Sequence, residues 1–374
     1  MSAPYSVVAP INNLSLGTVT IALLREMFRR GETPAVFPVM GSQPDLSAQV
    51  PDQAFAQRLE ALIVSAHQRA SRKAPCFMNW HTGGALASNC ERGNHLLTWN
   101  ELDALTPSEV NTLKQQVKVY VTSRFTAQMM GQYGIQATYL PIGFDAHNHK
   151  VLDQRPKVEG AISYLLTSKW EKRKSHAQVL HAWAKRYGNN PAYRLNCATF
   201  NPFLGPTPQD AWNAMMAKVG EALGGQQYWN IQFLPWAPDN ATYNVTLQSS
   251  EIVISMSGGE GRDLPCYHAT AMGAWPVAMR AHAYLDYLND TNAVLVSPNG
   301  KQPAADGVHF SSNGPFNVGN IFTFDDDAFI AACEAAEQKV KTQGLNTAGL
   351  ALQQLTYSEA VDILLADLKA AAPA

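Results

Sequence analysis

YSVVAPINNLSLGTVTIALLREMFRRGETPAVFPV, residues 5 to 39, begins and ends on short apolar runs and holds a helical pattern between them. YSVVAP reads as a buried strand. In TVTIALLREMFRRG, Val19, Leu23 and Met27 share one helix face at i, i+4 and i+8, and Gly31 stops the helix. PAVFPV (34–39) is the next strand. Strand, helix, strand is the grammar of a parallel βαβ unit, because parallel neighbours need a crossover between them.

The grammar recurs down the chain. AQRLEALIVSAHQRA reads as a helix, and APCFMNWH and HLLTWNELD as strands. TPSEVNTLKQQ opens with a capping box, Thr106 followed by Glu109. KVYVTS is a strand, RFTAQMMGQYG a helix ended by glycine, and ATYLPIGFD a strand. HNHKVLDQRPKVEG (147–160) is polar and turn-rich, a linker that would leave His147 and His149 in solvent. A second series follows: AISYLLTS, YRLNCAT, IQFLPW, EIVISMS, PVAM and AVLVSP as strands, with SHAQVLHAWAKRYG and DAWNAMMAKVGEAL as helices and ATAMGAW as a helix ending. No fixed-period repeat is visible. The sum is an α/β protein of two doubly wound, Rossmann-like halves, with ligands expected at the carboxyl ends of strands.

Composition agrees. At 374 residues, 46% hydrophobic and 16% charged, the chain is globular and long enough for two domains. A net charge of -2 gives no global pull toward nucleic acid or anionic lipid. Five scattered cysteines form no C-x-x-C pair and read as reduced thiols. No apolar run is long enough to span a bilayer, and the first residues do not form a secretion signal, so a cytoplasmic protein is expected. Phosphate-loop, G-x-G-x-x-G, G-x-S-x-G and H-E-x-x-H patterns are missing. The acidic run 325–327 precedes AFIAACEAAEQK and reads as a helix cap rather than a metal site.

Three segments carry a resemblance. VYVTSRFTAQMMGQYGIQATYLPIGFDAHNH (119–149) places a strand ending in Ser123 before a helix and a P-x-G-F-D passage at Pro141, Gly143, Phe144 and Asp145. YLLTSKWEKRKSHAQVLHAW (164–183) sets a basic turn between strand and helix. ISMSGGEGRDLPCYHATAMGAWPV (254–277) sets an acid on a glycine-rich turn before a helix. In this order they resemble a family 4 glycosyltransferase of the GT-B fold, over Gly17 to about Pro298.

The resemblance implies two Rossmann-like domains facing across a cleft, an acceptor-binding domain over 1–152 and a nucleotide-sugar domain over 153–350. It also implies a helix over 351–374 packing back toward the first domain. Lys174 and Lys169 stand where the family carries the lysine and arginine that meet the donor diphosphate, with Arg173 beside them, and Ser175 replaces the family's glycine. Glu260 matches the first of two acids and would hold sugar hydroxyls. Gly259, Gly261, Arg262 and Leu264 surround it, and His268 replaces the second acid, which grips the ribose. Gly17 sits in the first loop, facing the donor phosphate. His81 would stand near the reacting centre. Asn12, Asn13 and Glu101 are weaker acceptor contacts, with loop filling the competing role for the asparagines.

The implied reaction retains anomeric configuration. The departing phosphate oxygen assists the acceptor hydroxyl, with no enzymic nucleophile, cofactor or required metal; Glu260, Lys174 and His81 are the catalytic candidates. A glycan or lipid-linked glycan is the expected acceptor. The alternative is a hydroxymethylated base in DNA, because TWNELDALTPSEV (98–110) and DGVHFSSNGPFNVGNIFTF (306–324) resemble segments of phage-encoded members, which would act in the host cytoplasm. A third reading is a non-catalytic sugar-nucleotide binder, motivated by His268.

Overall fold

The computed structural model describes residues 2–87, 90–156, 158–306 and 309–372. The chain forms two compact units: Met1–Asn148 with Asn313–Val318 and Gln354–Ala374, and His149–Ser312 with Gly319–Gln353. Each is built on a six-stranded sheet flanked by helices, the α/β doubly wound class expected from the βαβ grammar.

In the first unit the elements are β1 (Ser6–Ala9), α1 (Ser15–Arg29), β2 (Ala35–Pro38), α2 (Gln53–Val64), α3 (Ala66–Arg69), β3 (Cys76–Asn79), β4 (His95–Thr98), α4 (Pro107–Lys114), β5 (Lys118–Val121), α5 (Arg124–Gly131) and β6 (Ala137–Tyr139). All pairings are parallel, in the order β2-β1-β3-β4-β5-β6. A parallel sheet is covered on both faces, so its strands are apolar throughout rather than alternating. Met78, Leu96, Val119 and Val121 on the strands meet Leu113, Met129 and Met130 on α4 and α5 in one buried cluster. The capping box forms as read: Glu109 N donates to Thr106 Oγ1 at 3.1 Å, and Thr106 N donates to Glu109 Oε2 at 2.8 Å.

The second unit contains β7 (Ile162–Thr167), α6 (His176–Tyr187), β8 (Tyr193–Ala198), α7 (Pro208–Ala222), β9 (Ile231–Phe233), α8 (Asn240–Leu247), β10 (Ile252–Ser255), α9 (Leu264–Ala271), β11 (Trp275–Met279) and β12 (Val294–Val296). An antiparallel pair, β13 (Gly300–Pro303) and β14 (Asn320–Thr323), follows, then α10 (Asp326–Gln343) and α11 (Thr347–Leu350). The large sheet is again parallel, ordered β12-β11-β10-β7-β8-β9. The last helix, α12 (Tyr357–Ala370), belongs to the first unit. There Arg30 Nη2 donates to Ser358 Oγ at 2.7 Å, Tyr120 donates to Asp367 at 2.7 Å, and Lys369 pairs with Glu32 at 2.8 Å.

Both sheets reverse their winding once. The chain goes from β1 outward to β2 and then returns to β3 on the other side of β1. In the second unit it runs β7, β8, β9 and then places β10 on the far side of β7. Loops leaving the two strands at such a switch point diverge and open a crevice at the strand carboxyl ends.

Some local expectations are corrected. Trp275, read as part of a helix ending, instead starts β11: Gly273 adopts φ +92°, which ends α9, and Trp275 N then donates to Glu251 O at 2.8 Å. His147 and His149 are not left in solvent. His147 Nε2 donates to Val50 O at 2.8 Å, and His149 is buried. Asp325 caps α10 as expected, accepting from Asp327 N and Ala328 N. None of the five cysteines forms a disulfide. Among the described residues no helix is long and apolar enough to cross a membrane.

Candidate active site

In the second unit β7 and β10 are neighbours, with Ile252, Val253 and Ile254 in register with Tyr164, Leu165 and Leu166. The loops that follow them therefore leave the sheet side by side. The first carries Lys169, Arg173 and Lys174; the second carries Gly259, Glu260 and Gly261. Gly258 N donates to Arg173 O at 2.8 Å and Ser257 Oγ to the same carbonyl at 3.2 Å, stitching the loops together. A Cβ on Gly258 would fall 2.3 Å from Phe322 O, so only glycine lets this backbone lie against β14.

Side chains complete the junction. Lys174 Nζ and Arg173 Nη1 both meet Glu260 Oε1, the arginine at 2.9 Å. Arg173 Nη1 also donates to Gly259 O at 2.7 Å. Arg173 Nε lies 3.0 Å from Glu171, and Lys169 Nζ lies 3.4 Å from the other oxygen of that acid. Lys169, Arg173 and Lys174 thus meet Glu171 and Glu260 in one network. Burial by itself would raise the Glu260 carboxyl, but Arg173 and Lys174 override it and hold the group well below the carboxylate range. Burial would likewise lower Lys174, and Glu260 reverses that, so the ammonium stays charged.

The backbone here keeps a glycine-like shape without glycine. Ser175 has φ +55°, and Ser168 has φ +84°. A left-handed conformation costs a serine about 1–2 kcal/mol, which the surrounding loop must hold in place. Ser175 is the N-cap of α6 but supplies no side-chain cap; Leu14 at the start of α1 supplies none either. Every other described α-helix of at least eight residues starts on a side-chain cap. An uncapped N-terminus presents N–H groups and the positive end of the helix dipole, the arrangement that anions use.

The other expected donor residues continue from this loop into α9. The Arg262 guanidinium is buried between the Tyr267 and Tyr287 rings, 4.5 and 5.0 Å from their centroids. Leu264 is the half-buried first residue of α9. His268 is buried on α9, its ring 4.2 Å from that of His149. Burial, then His149 and Arg262, push its pKa far down, so it stands there as a neutral imidazole. Sequence reasoning missed Glu171, hidden within a run read for its cations. It also missed Asp263, which is buried at φ +54°, accepts from Tyr284 OH at 2.7 Å and caps α9. His282, whose Nε2 donates to Ser257 O at 3.0 Å, carried no sequence signal at all.

In the first unit Asn12, Asn13 and Gly17 follow β1, His81 follows the neighbouring β3, and Glu101 follows β4. Gly17 lies so near the first loop that a Cβ would come 2.3 Å from Asn12 Oδ1 and 2.4 Å from Asn12 O. Asn12 Oδ1 accepts from Leu14 N at 3.0 Å; Asn13 Nδ2 donates to Asp45 at 2.8 Å and Ser47 at 3.2 Å. Both asparagine side chains are thus hydrogen-bonded to loop residues of this unit. His81 follows β3, its ring 5.2 Å from that of Trp80, while Glu101 is half-buried in the loop after β4. Among the described residues no group of three or more His, Cys, Asp or Glu side chains is arranged to hold a metal.

Buried histidines make the second unit acid-sensitive. Burial, helped by Lys174, lowers His176 to about 4, and burial also lowers His282 to about 4. In the unfolded chain both protonate near pH 6.5, while the folded protein resists the proton. Stability is therefore full above pH 6.5 and falls as pH drops toward 4, by up to about 1.4 kcal/mol per histidine per pH unit. Denaturant titrations at pH 7 and 5.5 are expected to differ by at least about 2 kcal/mol, and His282→Asn should reduce that difference by about 1 kcal/mol. Equal midpoints at the two pH values would contradict it.

No protein-family model and no curated protein matches the chain by sequence. Solved structures do. Sucrose-phosphate synthase from Thermosynechococcus elongatus is similar with a TM-score of 0.66 at 12% identity, over 98% of each chain. The α,α-trehalose 6-phosphate synthase of Burkholderia multivorans is similar with a TM-score of 0.64 at 12% identity, over 99% of each. Anabaena HepE, solved with UDP and glucose, is similar with a TM-score of 0.57 at 13% identity, over 98% of each. At this identity the likeness establishes the fold: the chain has the two-sheet GT-B architecture.

Proposed function

We propose that the protein transfers a sugar, with retention, from a nucleoside-diphosphate donor to an acceptor hydroxyl. The observation that carries this reading is the meeting of Arg173 and Lys174 with Glu260, and of Lys169 and Arg173 with Glu171, at the β7/β10 switch point, beside the uncapped α6. Sugar transfer builds negative charge on the leaving diphosphate. Fixed cations and helix N–H groups in a desolvated setting stabilise that charge without reorganising. Glu260, held ionised, is suited to accept hydrogen bonds from donor-sugar hydroxyls. The lysines, Arg173 and the α6 N-terminus supply the positive charge in this scheme, so a chelator should leave transfer unchanged. Solved neighbours support the donor class, since HepE was solved with UDP-glucose. A glycan hydroxyl is the acceptor we favour.

The test is a thermal-shift series with UDP, GDP and ADP, followed by turnover assays with the matching sugar nucleotides. A diphosphate present at 100 times its dissociation constant should stabilise the protein by about 2.7 kcal/mol. No shift with any of the three would overturn the donor assignment. Tight binding with neither transfer nor hydrolysis of any donor would instead favour the non-catalytic reading.

A further inference from the structure

Two stretches far apart in sequence, 98–110 and 313–318, are brought together in the first unit. The connection between β13 and β14 runs from 304 to 319, whereas a hairpin usually turns in roughly two to five residues. Connections that long in a compact protein are uncommon and tend to carry a task. Its part Asn313–Val318 belongs to the first unit, although both flanking strands belong to the second. Two anchors fix it to the start of α4. Thr106 Oγ1 donates to Pro315 O, and Asn317 N donates to Glu109 Oε1 at 3.0 Å. Glu109 is buried, and its other oxygen serves the capping box, so one carboxylate holds both the helix start and this segment. Asn317 has φ +58°, a conformation asparagine tolerates better than most residues.

Between these anchors Phe316 lies over the turn that follows β3. A Cβ built on Gly83 would sit 3.5 Å from three atoms of the Phe316 ring, an ordinary van der Waals distance. The same turn is held elsewhere by Trp80, whose indole would meet a Cβ on Gly84 at 2.5 Å, and by Thr82 Oγ1, 3.0 Å from Thr98 Oγ1. Within the turn Gly84 N donates to His81 O at 3.0 Å and Ala85 N to Thr82 O at 3.1 Å. Two adjacent glycines bring no side chains of their own, so outside packing helps to keep such a turn in one conformation.

We propose that 313–318 is a positioning strap: Phe316 clamps the His81–Gly84 turn and so fixes where the His81 imidazole stands. Phe316 is a positioning residue, acting through His81, and His81's part in the reaction rests on the transferase reading above.

Amide hydrogen exchange on the full chain tests the clamp without any need for activity. In Phe316→Ala the amides of Gly84 and Ala85 should exchange on the order of tenfold faster, with β5 amides unchanged and Phe316→Leu restoring most of the protection. Equal exchange in wild type and Phe316→Ala overturns the strap. Hydrolysis of UDP-, GDP- and ADP-glucose, with water as acceptor, supplies the second reading. The strap predicts a lower kcat in Phe316→Ala and an unchanged KM for the donor, since the donor groups of the second unit are untouched. Faster exchange with an unchanged kcat overturns the link from Phe316 to His81. A wild type that turns over no donor counts against the transferase reading, while the exchange comparison still decides the strap.

Discussion

Lys174→Met is expected to lower the rate of sugar transfer about 10²- to 10³-fold at saturating donor, the loss typical of removing one preorganised group that meets developing negative charge. Methionine keeps most of the volume of the lysine stem and removes only the ammonium. Glu260 retains Arg173 at 2.9 Å, so the carboxylate is not stranded and the second unit should stay folded. Loss of rate can then be assigned to chemistry. The check is a steady-state kcat with whichever nucleotide sugar the wild type turns over, alongside a circular-dichroism melt. A variant with wild-type kcat would remove Lys174 from the site.

Glu260→Ala is expected to lower stability as well as activity. Truncating Glu260 leaves the buried Lys174 and Arg173 without their shared carboxylate. Breaking a buried ion pair from one side costs about 3–5 kcal/mol. For a unit of this size, at about 2–4 °C per kcal/mol, the melting temperature should fall by about 10 °C. Glu260→Gln, which keeps shape and hydrogen-bonding capacity, should lose less. The pH dependence follows from the depressed carboxyl: its contribution is fully present above the ordinary value of 4.5 and disappears as pH falls toward the lower folded value. The gap between wild type and Glu260→Ala should therefore narrow below pH 4.5. A melting temperature within about 2 °C of wild type at neutral pH would show that the pair contributes little.

The strands and most helices were legible because their signals are local. A β-branched run such as ISYLLT or a capping box such as Thr106 with Glu109 needs no distant residue to be recognised. The missed elements lack such signals. β13 reads GKQP and is exposed along its length, and α8 reads NATYNVTL, with two buried residues and no clear apolar face. Trp275 was misplaced because ATAMGAWPV is apolar after Thr270, and only the positive φ of Gly273 shows where the helix ends. The candidate site was legible as residue types on strand-to-helix turns. The partners of those residues were not: Glu171 looked like a neighbour in a charge run, and His149 looked like part of a solvated linker.

Sequence by itself determined the alternation of strand and helix, hence the parallel α/β class, and marked the two turns that carry Lys174 and Glu260. These are properties of neighbouring residues, set by backbone preference and side-chain periodicity. Only the tertiary structure decided that β10 lies against β7, which joins two turns 86 residues apart into one buried ion-pair network. It alone carried residues 313–318 onto the first unit. Strand order follows from how whole sheets bury their faces, a sum over many distant contacts, and no single stretch of the chain records it.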